Sequence, residues 1–180
     1  ISLLCLPGPL PRYMLIGQPA QMTAIWKACS PQANATNPEL WSLLDIRSGI
    51  PTVYANTVES FVPQMVNMQM VDGVSFDKGC YVGQEIVARM KYLGTLKRRM
   101  YLARVVSEKR PLPGDEIHSP VETESGQGHG NVVMAASSDQ GVYEILAVLD
   151  NSSYENGDLH LESGTGPTLE FPDMPYQITD

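Results

Sequence analysis

The chain has 180 residues, is 43% hydrophobic and 18% charged, and carries a net charge of −8, which is ordinary for a folded globular protein and excludes a disordered one. No apolar run approaches the roughly 18 residues that a membrane helix needs, and the opening ISLLCLPGPLP lacks the basic start and long apolar stretch of a leader, so no membrane role and a cytoplasmic location are expected. Three cysteines, Cys5, Cys29 and Cys80, form no CxxC pair, which points to reduced thiols and to neither a disulfide framework nor a self-contained zinc site.

The chain begins at Ile1, midway into a pattern, and reads as a fragment of a longer protein. RYMLIG (12–17) has the character of a short strand, and in AQMTAIWKAC (20–29) Met22, Ile25, Trp26 and Cys29 recur at helical spacing, which places Cys29 in a core. After the turn-rich SPQANATNP, Asn37-Pro38 opens a second helix, PELWSLLDIRSG, with proline at its first position and Gly49 as its stop. Leu40, Leu43, Leu44 and Arg47 fall on one side of it. Residues 50–76 have no sustained period and contain two prolines; a stretch of this length is either functional or wrapped against other structure. Met65, Met68 and Met70 within it suit adaptable packing better than soft-metal binding.

SFDKGCYVGQEIVARM (75–90) follows. Ile86, Val87, Met90 and Leu93 form an apolar stripe, Glu85 and Arg89 stand at i,i+4, and Gly94 ends the pattern, so a helix is predicted over 82–93. Cys80 then lies just before a helix N-terminus with Lys78 two residues earlier. Both features favour a thiolate, able to act as nucleophile or metal ligand; the alternative is a buried small hydrophobe. The first reading predicts a partly exposed Cys80 that alkylates faster than Cys29.

Beyond Gly94, LKRRMYLARVV (96–106), PLPGD, GQGHGNVVMAASS (126–138), GVYEILAVLD and DLHLES read as short strands separated by turns, which predicts a small all-β barrel or sandwich beginning near residue 97. His129 in GQGHG is read as a turn histidine, and that glycine run lacks the spacing of a phosphate loop. Nine of the twelve basic residues lie within 78–110, where Glu85 and Glu108 are the only acids, whereas residues 111–180 hold no lysine or arginine. This belt either meets phosphates or an anionic cofactor or is a solvated face.

Lys78-Gly79-Cys80-Tyr81-Val82-Gly83-Gln84-Glu85 resembles the K-G-C-Y-x-G-Q-E signature of the YgfZ family, relatives of the glycine-cleavage T-protein. IRSGIP (46–51), Ala88-Arg89 and Pro175-Tyr176 add to the likeness. The resemblance covers nearly the whole chain but only the C-terminal part of the family's domains. It implies an α+β chain: residues 1–49 as part of a middle α/β domain, 50–96 as a folate-domain return segment, and 97–180 as a C-terminal β-barrel. It further implies tetrahydrofolate as cofactor, held by Lys78, Gly79, Tyr81, Gly83, Gln84, Glu85 and Arg89, with Cys80 as the reactive residue. Iron–sulfur client enzymes or assembly proteins are the implied partners, and tRNA is reached indirectly through methylthiolation.

Since a cluster takes four protein ligands, any iron–sulfur cluster at Cys80 would be shared with a partner. Where T-proteins carry an acidic pterin-binding residue, this chain has Arg47, a donor-only group, which is either unsuited to that contact or a solvated helix-end cation. Three functions are set against one another: folate-dependent support of iron–sulfur enzymes, aminomethyl transfer of the glycine-cleavage type, and a plain docking module using the basic belt. Aminomethyl transfer needs orientation and a general acid or base and gives a thiolate no role, so Cys80 favours the first.

Overall fold

A computed structural model describes residues 1–6, 8–121 and 128–179. Ser2–Leu6 (β1) and Arg12–Ile16 (β2) pair antiparallel as a hairpin, with Leu4 opposite Met14. Pro19–Cys29 (α1) follows as its spacing predicts, yet none of its residues is buried: Trp26 is 64% exposed and Cys29 lies on the surface. The core placement expected for Cys29 is therefore overturned. Helical spacing defines a face, but a face is buried only where another element meets it.

Pro38–Arg47 (α2) starts and stops where its residues dictate. Leu40 N–H donates to Asn37 Oδ1 at 3.3 Å, proline sits in the first turn, and Gly49 beyond the end takes a positive φ of 64° that a side chain would resist. Its buried positions are Leu43 and Ile46, while Leu40 is exposed, so the packed face is rotated from the expected Leu40–Arg47 side. The reason lies in what it packs against.

Gln84–Leu93 (α3) precedes Arg98–Val106 (β3), Glu116–His118 (β4), Gly130–Asp139 (β5), Val142–Asp150 (β6), Asn151–Asn156 (α4), His160–Leu161 (β7) and Leu169–Glu170 (β8). β3 to β8 form one antiparallel sheet in the order β7-β4-β5-β6-β3-β8. Its two ends meet, since His160 bridges Thr168 and Leu169 N–H donates to Leu159 O at 2.9 Å. The result is the nearly closed six-stranded barrel expected at the C-terminus, within a mixed α+β chain.

Alternate residues of the long strands serve two cores. Ala103, Val105, Ile145, Ala147 and Leu149 join Ile117, Leu159 and Leu161 in the barrel interior. Met100, Leu102, Leu146 and Val148 face outward and pack with Leu43 and Ile46 of α2. Strands buried on both faces read as continuous apolar runs, which is why ILAVL (145–149) shows no alternation. The aperiodic 50–76 stretch completes this outer cover: Tyr54, Phe61, Met65 and Val66 pack on the same cluster. Asn67, fully buried with a φ of 54°, donates its Nδ2 to Met100 O at 2.8 Å.

Gly126 and Gln127 of the GQGHG stretch lie outside the described residues. His129 is buried, its Nδ1 2.9 Å from Ser153 Oγ, and its carbonyl accepts from Asp150 N–H at 2.9 Å, so it pins the start of β5 to β6 and α4. A Cβ at Gly130 would run into the Val148 carbonyl oxygen, whereas one at Gly128 would meet nothing within 4 Å. Gly130→Ala is expected to cost about 1–3 kcal/mol in urea unfolding, as overpacking does, while Gly128→Ala stays within about 0.5 kcal/mol of the unaltered chain.

Candidate functional site

The signature segment is reached through a series of attachments to the barrel. α2 is clasped at both ends. At its start, Glu39 accepts from Ser137 N–H at 2.7 Å and from Arg110 Nη1 at 2.9 Å; the Arg110 bond first, then the Ser137 bond, hold its carboxyl below the usual carboxylate range. At its end, Arg47 Nε and Nη2 donate to the two carboxylate oxygens of Glu144 at 2.8 and 2.6 Å, which raises the guanidinium's pKa against the opposing effect of burial. Arg47 is thus a fork committed to β6, not the solvated helix-end cation that was one of its two readings.

Downstream, Gln64 is almost fully buried and donates its Nε2 to the Val87 carbonyl at 2.6 Å, tying the 50–76 wrap to α3. Of the stripe residues whose side chains are described, Val87 is buried, Met90 is half-buried and Ile86 is exposed. The Glu85–Arg89 pair forms at 3.3 Å. α3 starts at Gln84, two residues later than its spacing predicts, because Gly83 takes a φ of 86° as the cap. Cys80 stands four residues ahead of the first helical residue, exposed, in a loop where a Cβ at Gly79 or Gly83 would meet nothing within 4 Å. The positive φ accounts for a glycine at 83; nothing in the fold demands one at 79.

Lys78, Gly79, Tyr81, Gly83, Gln84, Glu85 and Arg89 therefore lie along one loop and helix start, with the Lys78 ammonium 4.7 Å from the Tyr81 ring centre. Apart from Tyr81 and Gln84, which are half-buried, they are exposed. A cavity of about 370 Å³ lies between Phe76, Met90, Lys91, Thr95, Gln64 and Arg99, residues that flank this segment in sequence, and none of the seven lines it. The Oε1 atoms of Gln64 and of Gln69, also on its wall, are buried without a partner among the described residues. Orphaned amide oxygens suit a ligand rich in N–H donors, and Lys91 suits a carboxylate, so the donor set fits a reduced folate in kind. The volume is near the lower end for ligand sites and would take one end of such a molecule.

The basic belt is not one cationic surface. Arg98 bonds Asp150 at 3.3 Å, Arg110 bonds Glu39, and Arg99 is buried and donates to the Thr179 carbonyl at 3.3 Å. Exposed Lys78, Lys91 and Lys97 have no ion pair among the described residues. Among those residues, too, no group of three or more His, Cys, Asp or Glu is placed to hold a metal, and no helix is long and apolar enough to cross a membrane. Phe76, Tyr92 and Gln64 escaped the sequence reading. Aromatic residues interleaved with Lys78 and Lys91 were a legible signal for the first two; a lone glutamine in an aperiodic run offered none.

Fold and site together define an α+β chain with a nearly closed barrel and, in the glycine-bearing loop ahead of α3, an exposed thiol. No family model matches it. It is similar along its length to proteins named tRNA-modifying protein YgfZ: 34% identical over 177 residues to that of Sodalis glossinidius, covering 98% of this chain and 54% of the relative. Against the Colwellia psychrerythraea protein it is 38% identical over 180 residues, 98% of this chain and 53% of the relative. Against that of Aliivibrio fischeri it is 37% identical over 149 residues, 83% and 46%. The chain belongs to the YgfZ family, matching its C-terminal portion, and spans about half the length of the curated relatives it matches.

The Gln64 bond can be tested alone. Gln64→Met keeps the shape and removes the bond to the Val87 carbonyl, which stays in the α3 ladder, a loss of about 0.5–1.5 kcal/mol as for a single buried hydrogen bond. Hydrogen exchange should show α3 amides losing protection while β5 and β6 amides keep theirs.

Proposed function

We propose that this chain is the Cys80-bearing half of a tetrahydrofolate-binding protein that supports iron–sulfur enzymes of tRNA modification. The observation that carries the reading is the similarity along 98% of the chain to relatives named for tRNA modification, together with an exposed Cys80 inside the signature segment. Folate, when bound, supplies a one-carbon carrier. On this chain the cavity beside α3 would hold one end of it, with the amide oxygens of Gln64 and Gln69 facing its N–H groups and Lys91 drawing its carboxylates. Lys78, Gly79, Tyr81, Gly83, Gln84, Glu85 and Arg89 would line its exposed approach. Gly79 and Gly83 leave that approach open, since neither has a neighbour where a side chain would stand.

Cys80 is the group that chemistry distinguishes. Its sulfur is soft, ionisable and accessible, suited to handing over or briefly holding iron–sulfur material that a partner completes with further ligands. Aminomethyl transfer needs a general acid or base instead, a role for which a carboxylate is suited. The signature's own carboxylate, Glu85, is engaged by Arg89, and Arg47 is held on Glu144. That arrangement supports maintenance over transfer.

The test is Cys80→Ser in the full-length protein, supplied to cells lacking it. Because the residue is exposed, stability should change by less than about 0.5 kcal/mol. Folate affinity should persist and tRNA methylthiolation should fall. Full methylthiolation by the serine variant, together with aminomethyl transfer in vitro, would replace this reading with the transferase.

A further inference from the structure

We propose that the surface around α3 binds single-stranded RNA directly, its lysines holding phosphates and its aromatic rings stacking on bases. This goes beyond the indirect route to tRNA in the proposed function and uses neither folate nor Cys80.

Three cation–ring pairs lie within residues 76–92. The Lys91 ammonium is 3.7 Å from the Phe76 ring centre and 5.6 Å from that of Tyr92, and Lys78 is 4.7 Å from Tyr81. Tyr92 is 70% exposed, so its ring is open to a further stacking partner. Lys97 follows at the end of the same segment, exposed like Lys78 and Lys91. The acids within residues 76–97 are Asp77 and Glu85, and Glu85 is paired with Arg89. Elsewhere, residues 111–180 contain no lysine or arginine, and the belt's arginines 98 and 110 are paired with Asp150 and Glu39, which leaves Arg104 and Lys109 as the belt's other exposed cations. Three lysines without an ion pair among the described residues, Lys78, Lys91 and Lys97, thus share the 76–97 segment with one exposed ring, Tyr92, and two half-buried ones, Phe76 and Tyr81, and positive charge beside aromatic faces is the physical recipe for single-stranded nucleic acid.

A duplex fits less well. The deep, narrow major groove of A-form RNA hides its base edges, and an exposed ring can stack only on bases already unstacked. An acidic protein partner would use the lysines but would leave the three rings without a task.

The experiment is fluorescence anisotropy of a labelled 12-nucleotide single-stranded RNA with the 180-residue chain, alongside the same sequence as a duplex and a polyglutamate peptide. Binding should favour the single strand, and log affinity should fall with log salt at a slope of about −2, from about 0.7 per phosphate met by Lys78, Lys91 and Lys97. Tyr92→Ala should weaken binding by roughly tenfold or more through lost stacking, Lys91→Ala should reduce the salt slope by about 0.7, and Lys109→Ala should change neither. Circular dichroism melting of each variant establishes that it remains folded. No binding at low salt, equal binding to duplex or polyglutamate, or an unchanged affinity in folded Tyr92→Ala would overturn the proposal.

Discussion

The structure depends on one constraint: the long strands of the barrel are apolar on both faces. Met100, Leu102, Leu146 and Val148 point away from the barrel interior, yet all are buried. Left uncovered, each such side chain would forgo about 1.5–3 kcal/mol of burial, so the outer face must be covered for the chain to be stable. α2 and the aperiodic 50–76 stretch are that cover. Their placement follows from the apolar face they meet, with the Glu39 and Arg47 bonds fixing the orientation of the helix more than supplying its stability, since half-exposed ion pairs contribute little.

The site inherits its position from this cover. Gln64 belongs to the wrap and holds α3 by the Val87 carbonyl; Asn67, three residues on, holds the wrap to β3 by the Met100 carbonyl. Two buried amides thus join the barrel to the helix that follows the signature. The signature loop itself is exposed and bonded sparingly, which leaves Cys80 accessible while the elements on either side are anchored. Tyr176 extends the same scheme from the C-terminal segment: its hydroxyl donates to the Gly49 carbonyl at 2.9 Å, with its pKa raised by burial.

Much of this was legible in the residues, and what was not shares a cause. The caps of α2, the Glu85–Arg89 pair and the barrel strands are local signals, written within a few residues of where they act. The signature was legible through resemblance. Burial was not: α1 has a helical apolar face with Trp26 on it, but whether that face is covered depends on distant chain, so Cys29 was misplaced. The belt misled for the same reason. Its arginines look unopposed in sequence, yet Asp150 and Glu39 lie 52 and 71 residues from their partners. Arg47 meets Glu144 across 97 residues, and no local pattern announces such a pair.

The central claim is that the outer face of the barrel, and not intrinsic propensity, holds the site-bearing elements. Hydrogen–deuterium exchange on Ile46→Ala tests it most directly, because Ile46 is the fully buried contact of α2 with that face and its truncation should cost about 2–5 kcal/mol. The account predicts that α2, residues 50–76 and α3 lose protection together, while interior-facing β5 and β6 amides exchange only by global unfolding. Unchanged protection of residues 50–76 and α3 in a variant whose α2 has loosened would contradict it.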